Sequence, residues 1–452
     1  MKNYWLKSGL LSLMEKFSVQ VFAFGSVFFL FRGLSKEAFG AWAIFLTIAA
    51  IIEVARIGLL QNALVKHLSV ADETEYAKIT TASLFINLLI TSLTVLSLFW
   101  LADPVAIFLE IDGLAPLLRI YALTNICLFP FFQLNYIQQA NLDFKGIFWS
   151  NFARQGVFFT FVLSIFLQNE KFDLIALAEF QIVSALVGSV VAFIFCKKFL
   201  RFSISLDWHW VKELLRYGIF VFGTNATTQL FKSTDKFLLG KIPVAGPVGV
   251  AIYEAAIKIT NLTDVPTFSM ASILFPQSAR RAADGNNGVK NLYEKAVGAI
   301  LAFMIPAILL VWIFAHYIIW FVAGAQYLDV VPILRITMLY GLFMPFAVQF
   351  GTVLDSIGLP KINFYFTLAN LILLGAIDYF FIWGFGTIGA AYGTLLAYAV
   401  SFVYMQFYLY KKLKTNPLNA FFYMVEFYKK GIFHIQNLRL NYGNFRKSKI
   451  VN

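Results

Sequence analysis

Five ionisable residues stand at matched places in two neighbouring apolar stretches. Lys232, Asp235 and Lys236 fall at i, i+3 and i+4, which puts all three on one face of a helix. Glu254 and Lys258, at i and i+4, share a face of the next stretch and reach the same depth. At the helical rise of 1.5 Å per residue, all five lie about 6 to 12 Å inside the apolar layer. A charge at that depth must meet a partner or water. Three lysines against two carboxylates leave one positive charge over, which suits a polar cavity that draws in an anion; the same residues could also pair only to hold two helices together. Arg154, about 12 Å from the opposite surface, is a further candidate cation, with an intramembrane structural pair as its alternative.

Acids at depth have their own chemistry. Asp235, Glu254 and Glu53 could each couple movement to an ion if apolar surroundings raise the carboxyl pKa. Glu179, Asp264, Asp355 and Asp378 are further buried acids that the sequence does not rank. Glu15 and Lys16 come to the depth of Glu53 and Arg56 on the following stretch, so these four could also make two ion pairs between the first two helices. Arg119 and Arg335 lie within about 6 Å of the outer surface, where snorkelling to headgroups and contact with a ligand at an outer mouth are both open.

The elements that carry these residues follow from composition. The 452 residues are 60% hydrophobic and 13% charged, with a mean hydropathy of +0.74, whereas a soluble domain is roughly a quarter charged. The chain is an integral membrane protein of the all-α polytopic class. About twelve apolar runs are long enough to span a hydrocarbon core of roughly 30 Å as helices: residues 9–31, 40–67, 79–101, 115–140, 146–168 and 172–199, then 217–240, 249–276, 296–321, 331–357, 362–383 and 388–410. The net charge of +12 lies in the loops and in the tail, as membrane topology requires, so nucleic acid is not the expected partner. One set of alternate loops holds Lys66, Lys78, Lys145, Lys197, Lys198 and Arg201, and continues to Lys414. The other set holds only Arg32, Lys36, Lys171 and Lys241, which places both termini in the cytoplasm. Trp42, Trp100, Trp320 and Trp383 then fall at the outer interface, and Trp5, Trp149, Trp208 and Trp210 at the inner one.

The halves repeat. Leu6-Lys7-Ser8-Gly9 matches Leu215-Arg216-Tyr217-Gly218 at an offset of 209 (216 minus 7), which also pairs Arg32 with Lys241. Residues 115–120 match 331–336 at an offset of 216 (335 minus 119), pairing Arg119 with Arg335. This predicts a six-helix lobe over 1–200, a second over 201–414 and a basic aromatic cytoplasmic tail over 415–452, with the two lobes suited to alternating access. Residues 418–435 read as a helix lying on an anionic inner leaflet. Cys127 and Cys196 sit inside apolar runs and support neither a disulfide framework nor a metal site. No phosphate-binding loop, dinucleotide fingerprint or hydrolase motif is present, so neither a cofactor nor enzymatic activity is expected.

The stretch Asp235-Lys236-Phe237-Leu238-Leu239-Gly240, followed by residues 247–256 with Gly249, Tyr253 and Ala256, resembles the "D...LG...VG.Y..A" signature of Wzx-type O-antigen and polysaccharide flippases. Leu274-Phe275-Pro276, Gly324-Ala325-Gln326-Tyr327 and Gly386-Thr387-Ile388-Gly389-Ala390-Ala391 resemble further pieces of that family. The resemblance implies a MATE-like fold of the multidrug, oligosaccharidyl-lipid, polysaccharide (MOP) exporter superfamily. It also implies transfer of an undecaprenyl-pyrophosphate-linked oligosaccharide (an O-antigen, capsule or exopolysaccharide unit) across the cell inner membrane, with polymerase and other assembly proteins as partners. Lys232, Lys236, Lys258 and Arg154 would then bind the pyrophosphate. A multidrug or cation antiporter of the same fold is the alternative, which the surplus lysine disfavours, and a peptidoglycan-precursor flippase is another.

Overall fold

The computed structural model describes residues 2–282 and 286–429, and among them every regular element is helical. In chain order these are α1 (Lys2–Gly33), α2 (Lys36–Arg56), α3 (Asn62–Leu68), α4 (Glu73–Leu109), α5 (Leu114–Ala140), α6 (Phe144–Leu167), α7 (Leu174–Cys196), α8 (Trp208–Lys241), α9 (Gly246–Thr260), α10 (Asp264–Ala282), α11 (Asn286–Val322), α12 (Val331–Tyr340), α13 (Met344–Ser356), α14 (Pro360–Phe385) and α15 (Thr387–Leu413). A last helix, α16, covers residues 417–429. A π-helical turn, Ile57–Gln61, joins α2 to α3, and a 3-10 turn, Asn261–Thr263, joins α9 to α10. Aspartates start several of these helices. Asp72 accepts from the N–H groups of Thr74 and Glu75, and Asp173 and Asp207 cap α7 and α8 in the same way. The Asp72 carboxyl is held below the ordinary carboxylate range, first by the Glu75 N–H and then by the Thr74 hydroxyl.

Ten helical stretches among the described residues are long and apolar enough to cross a membrane. The two other stretches expected to span, 217–240 and 249–276, are also helical, as α8 and as α9 with α10. α8, which carries Lys232, Asp235 and Lys236, and α10 are less apolar, while α9 is only 15 residues long. α4 and α11 are each 37 residues long. Gly386, at φ 63° and ψ −143°, opens α15 in a conformation that only glycine adopts readily.

The chain folds into two compact units, Met1–Glu254 with Val322–Gly324, and Ala255–Phe321 with Ala325–Asn452. The boundary therefore falls inside α9, and α8 packs within the first unit. There α8 crosses the π-helical turn at backbone distance. A Cβ at Gly218 would lie 1.9 Å from the Leu59 carbonyl oxygen, and one at Gly58 would lie 2.7 Å from the Phe222 Cα. Arg32 at the end of α1 donates to the Val322 carbonyl at 2.8 Å and tethers that short segment. In the second unit, Tyr293, Val297, Phe350, Val353 and Leu409 centre an apolar core, and Gln349 donates to the Thr267 carbonyl at 2.9 Å.

One expectation is corrected. Trp42 is 1% exposed and packs on Phe45 rather than sitting at the lipid interface, while Trp100, Trp149, Trp208, Trp320 and Trp383 are exposed. The start of the tail packs on α11. The buried Glu294 carboxylate of α11 accepts from the Asn416 N–H and from Asn419 Nδ2, and the Ala420 carbonyl and Tyr423 cover Gly298. The expected tail-helix residues from 430 to 435 lie outside the described residues.

Candidate functional site

The cluster in the first unit is built on α8 and the first turns of α9. Lys236 Nζ stands 2.7 Å from Glu254 Oε2, with their side chains 17% and 6% exposed. Behind this pair the Tyr253 hydroxyl donates to Asp235 Oδ2, and both residues are buried. The residues that carry the family resemblance are thus paired physically. The tyrosine of the "Y" position satisfies the aspartate of the "D" position, and neighbouring positions on the same two helices supply the ion pair. Lys232 lies one turn before Lys236 and is exposed, and Lys258, partly exposed, lies one turn after Glu254 on α9.

A second cluster joins α2, α5 and α6. Glu53 Oε1 lies 4.0 Å from Arg154 Nη1, the side chains being 32% and 19% exposed. The Arg154 guanidinium sits 4.7 Å above the Phe131 ring centroid, and its Nε is buried without a hydrogen-bond partner. The substrate-binding candidate Arg154 and the coupling candidate Glu53 are therefore neighbours. This displaces the two ion pairs expected of Glu15, Lys16, Glu53 and Arg56. Arg56, 1% exposed, turns instead to Thr91 Oγ1 at 3.2 Å and Asn125 Oδ1 at 3.1 Å, with its guanidinium 5.0 Å from the Phe132 centroid. The sequence reads this buried guanidinium, beside a π-helical turn, only as half of an ion pair. The signal that could have raised it is Asn125 on α5, an amide in an otherwise apolar run.

Arg119 and Arg335 have separate partners. Arg119 pairs with Asp103, and Arg335 Nε donates to the Trp312 carbonyl at 3.2 Å while stacking 5.0 Å from the Trp312 ring. Among the unranked acids, Asp378 is fully buried on α14, and a Cβ at Gly393 of α15 would approach its Oδ1 to 2.2 Å. Asp355 accepts from Asn363 at 3.0 Å. Both cysteines are free thiols.

Comparison with known proteins places this geometry. The model of a family described as "Polysaccharide biosynthesis protein" matches residues 29–332, a stretch that runs from the end of α1 through both clusters. The chain belongs to this family. Among curated relatives of this family member are the "Uncharacterized membrane protein MJ1068" of Methanocaldococcus jannaschii, 23% identical over 58% of this chain and 53% of its own length, and the "Probable low-salt glycan biosynthesis flippase Agl15" of Haloferax volcanii, 23% identical over 51% of this chain and 49% of its own length. The chain thus spans about half the length of the curated relatives it matches. Solved structures share the fold. An inward-facing multidrug resistance MATE family transporter of the MOP superfamily superimposes with a TM-score of 0.76 at 18% identity, covering 88% of this chain and 95% of its own. The lipid II flippase MurJ, inward closed, does so with a TM-score of 0.73 at 19% identity, covering 92% and 90%. The protein is a multi-pass membrane protein whose fold is like that of the MATE transporter and of MurJ.

Proposed function

We propose that this protein is a flippase that moves a lipid-linked oligosaccharide across the membrane by alternating access. The observation that carries the reading is the cation-bearing pair α8 and α9 in a member of a polysaccharide biosynthesis family. Lys236 is held in place by Glu254 at 2.7 Å, so the cation is fixed before a substrate arrives and loses little side-chain freedom on binding. Lys232, one turn before Lys236 on α8, Lys258, one turn after Glu254 on α9, and Arg154 in the other cluster add positive charge for a diphosphate. The carrier lipid is undecaprenyl pyrophosphate and the cargo an O-antigen, capsule or exopolysaccharide unit, moved from the cytoplasmic to the periplasmic leaflet of the inner membrane with both termini in the cytoplasm. Asp235, Glu254 and Glu53 are the acids available for ion coupling. Complementation tests this: the wild-type gene should restore surface polysaccharide to a flippase-null strain, and single glutamine variants of Lys232, Lys258 and Arg154 should reach the membrane at normal levels but fail to restore it. Normal complementation by all three variants removes the cation mechanism.

A further inference from the structure

Glu53 stands between two arginines. Its Oε1 is 4.0 Å from Arg154 Nη1 on α6, and Arg56 follows it at i+3, one turn further along α2. Tyr121 of α5, whose hydroxyl donates to the Ala49 carbonyl one turn before Glu53, lies within electrostatic reach of all three charges. Two cations thus share one carboxylate.

The contact with Arg154 is loose and open. At 4.0 Å it is Coulombic without a hydrogen bond, and both side chains are partly exposed, whereas Lys236 and Glu254 are locked at 2.7 Å with the carboxylate enclosed. An anion arriving from the accessible side can take the guanidinium from Glu53, because the arginine fork matches phosphate oxygens better than it matches one distant carboxylate oxygen. Glu53 is then a carboxylate beside a diphosphate, and the repulsion drives it towards another cation. Arg56 is placed to receive it. Arg56 is buried, yet its Nη2 reaches only neutral groups, the Thr91 hydroxyl and the Asn125 amide oxygen. Its Nε and Nη1 are buried with no hydrogen-bond partner among the described residues. A buried cation without a carboxylate is costly to keep, and two idle donors one turn from a displaceable carboxylate provide a second seat for it. The backbone leaves α-helical winding directly after Arg56, at Ile57–Gln61, in a π-turn of the kind that recurs at functional sites.

Resting on the flippase reading above, we propose that Glu53 fills the anion seat of Arg154 in the empty carrier as an internal stand-in for the diphosphate, and that Arg56 is the positioning residue that takes Glu53 over when the substrate arrives. The stand-in sets a threshold for entry, since a singly charged phospholipid phosphate competes with a carboxylate less well than a diphosphate does. It also helps to expel the diphosphate at release.

The probe is geranylgeranyl pyrophosphate, titrated onto the purified full chain in nanodiscs. Glu53→Gln removes the stand-in and should tighten binding by about tenfold, while slower release lowers KM and turnover together in liposomes. Arg56→Met should weaken binding by about tenfold, because Glu53 then has no second seat. In the double variant, Glu53→Gln with Arg56→Met, that loss should vanish, so that it binds as tightly as Glu53→Gln alone. A merely structural Arg56 weakens binding equally in both backgrounds, and that outcome overturns the handover. Unchanged or weaker binding in Glu53→Gln overturns the stand-in, and this variant decides even where Arg56→Met does not fold, since Glu53 is partly exposed. If neither wild type nor Glu53→Gln binds the diphosphate, the Arg154 seat and the flippase reading fail together. Equal, tight binding by both leaves the flippase reading standing and removes only the exchange.

Discussion

Lys236 and Glu254 illustrate what a buried pair does and does not contribute. With Glu254 almost wholly enclosed, Lys236→Gln strands a carboxylate and should destabilise the protein by about 3–5 kcal/mol, seen as a lower unfolding temperature in detergent. Replacing both residues, Lys236→Met with Glu254→Leu, should recover that stability, since apolar partners often match a buried pair. Transport should stay lost, because no cation remains at that place for a diphosphate. A double variant that transports normally would reduce the pair to scaffolding. The spacing and depth of these residues were legible in the sequence, because helical periodicity and rise fix both. Their partners were not. Tyr253 as the donor to Asp235, and Thr91 and Asn125 as the company of Arg56, depend on which helix faces which, and hydropathy carries no information about that.

At the scale of elements, close approach of backbones sets the geometry of the first unit. Gly218→Val would drive a side chain into the Leu59 carbonyl, which is backbone and cannot step aside. The expected cost is about 1–3 kcal/mol with loss of the α8 crossing, measurable as faster proteolysis of detergent-solubilised protein. Helix positions were readable, since apolar runs are local features. The break of the tenth expected helix into α12 and α13, and the packing of α16 on α11, were not. The latter rests on Glu294, a single buried carboxylate holding the N-terminal turn of α16. Glu294→Ala should free α16, seen as faster hydrogen exchange over residues 417–429, while exchange in α15 is unchanged.

For the whole molecule, the central claim is that an anionic lipid-linked glycan crosses along intramembrane cations. An interior-negative potential assists outward movement of an anion by roughly 2.3 kcal/mol per charge per 100 mV, so voltage alone is a sufficient drive, with proton or sodium exchange at Asp235, Glu254 or Glu53 as the competing scheme. The most direct measurement is therefore flipping of a fluorescent undecaprenyl-pyrophosphate oligosaccharide by the purified protein in liposomes, under a potassium diffusion potential and without a proton or sodium gradient. The account predicts transfer that depends on the potential and is lost in Arg154→Gln. Export of a cationic drug with no movement of the glycan, under this or any ion gradient, would contradict it.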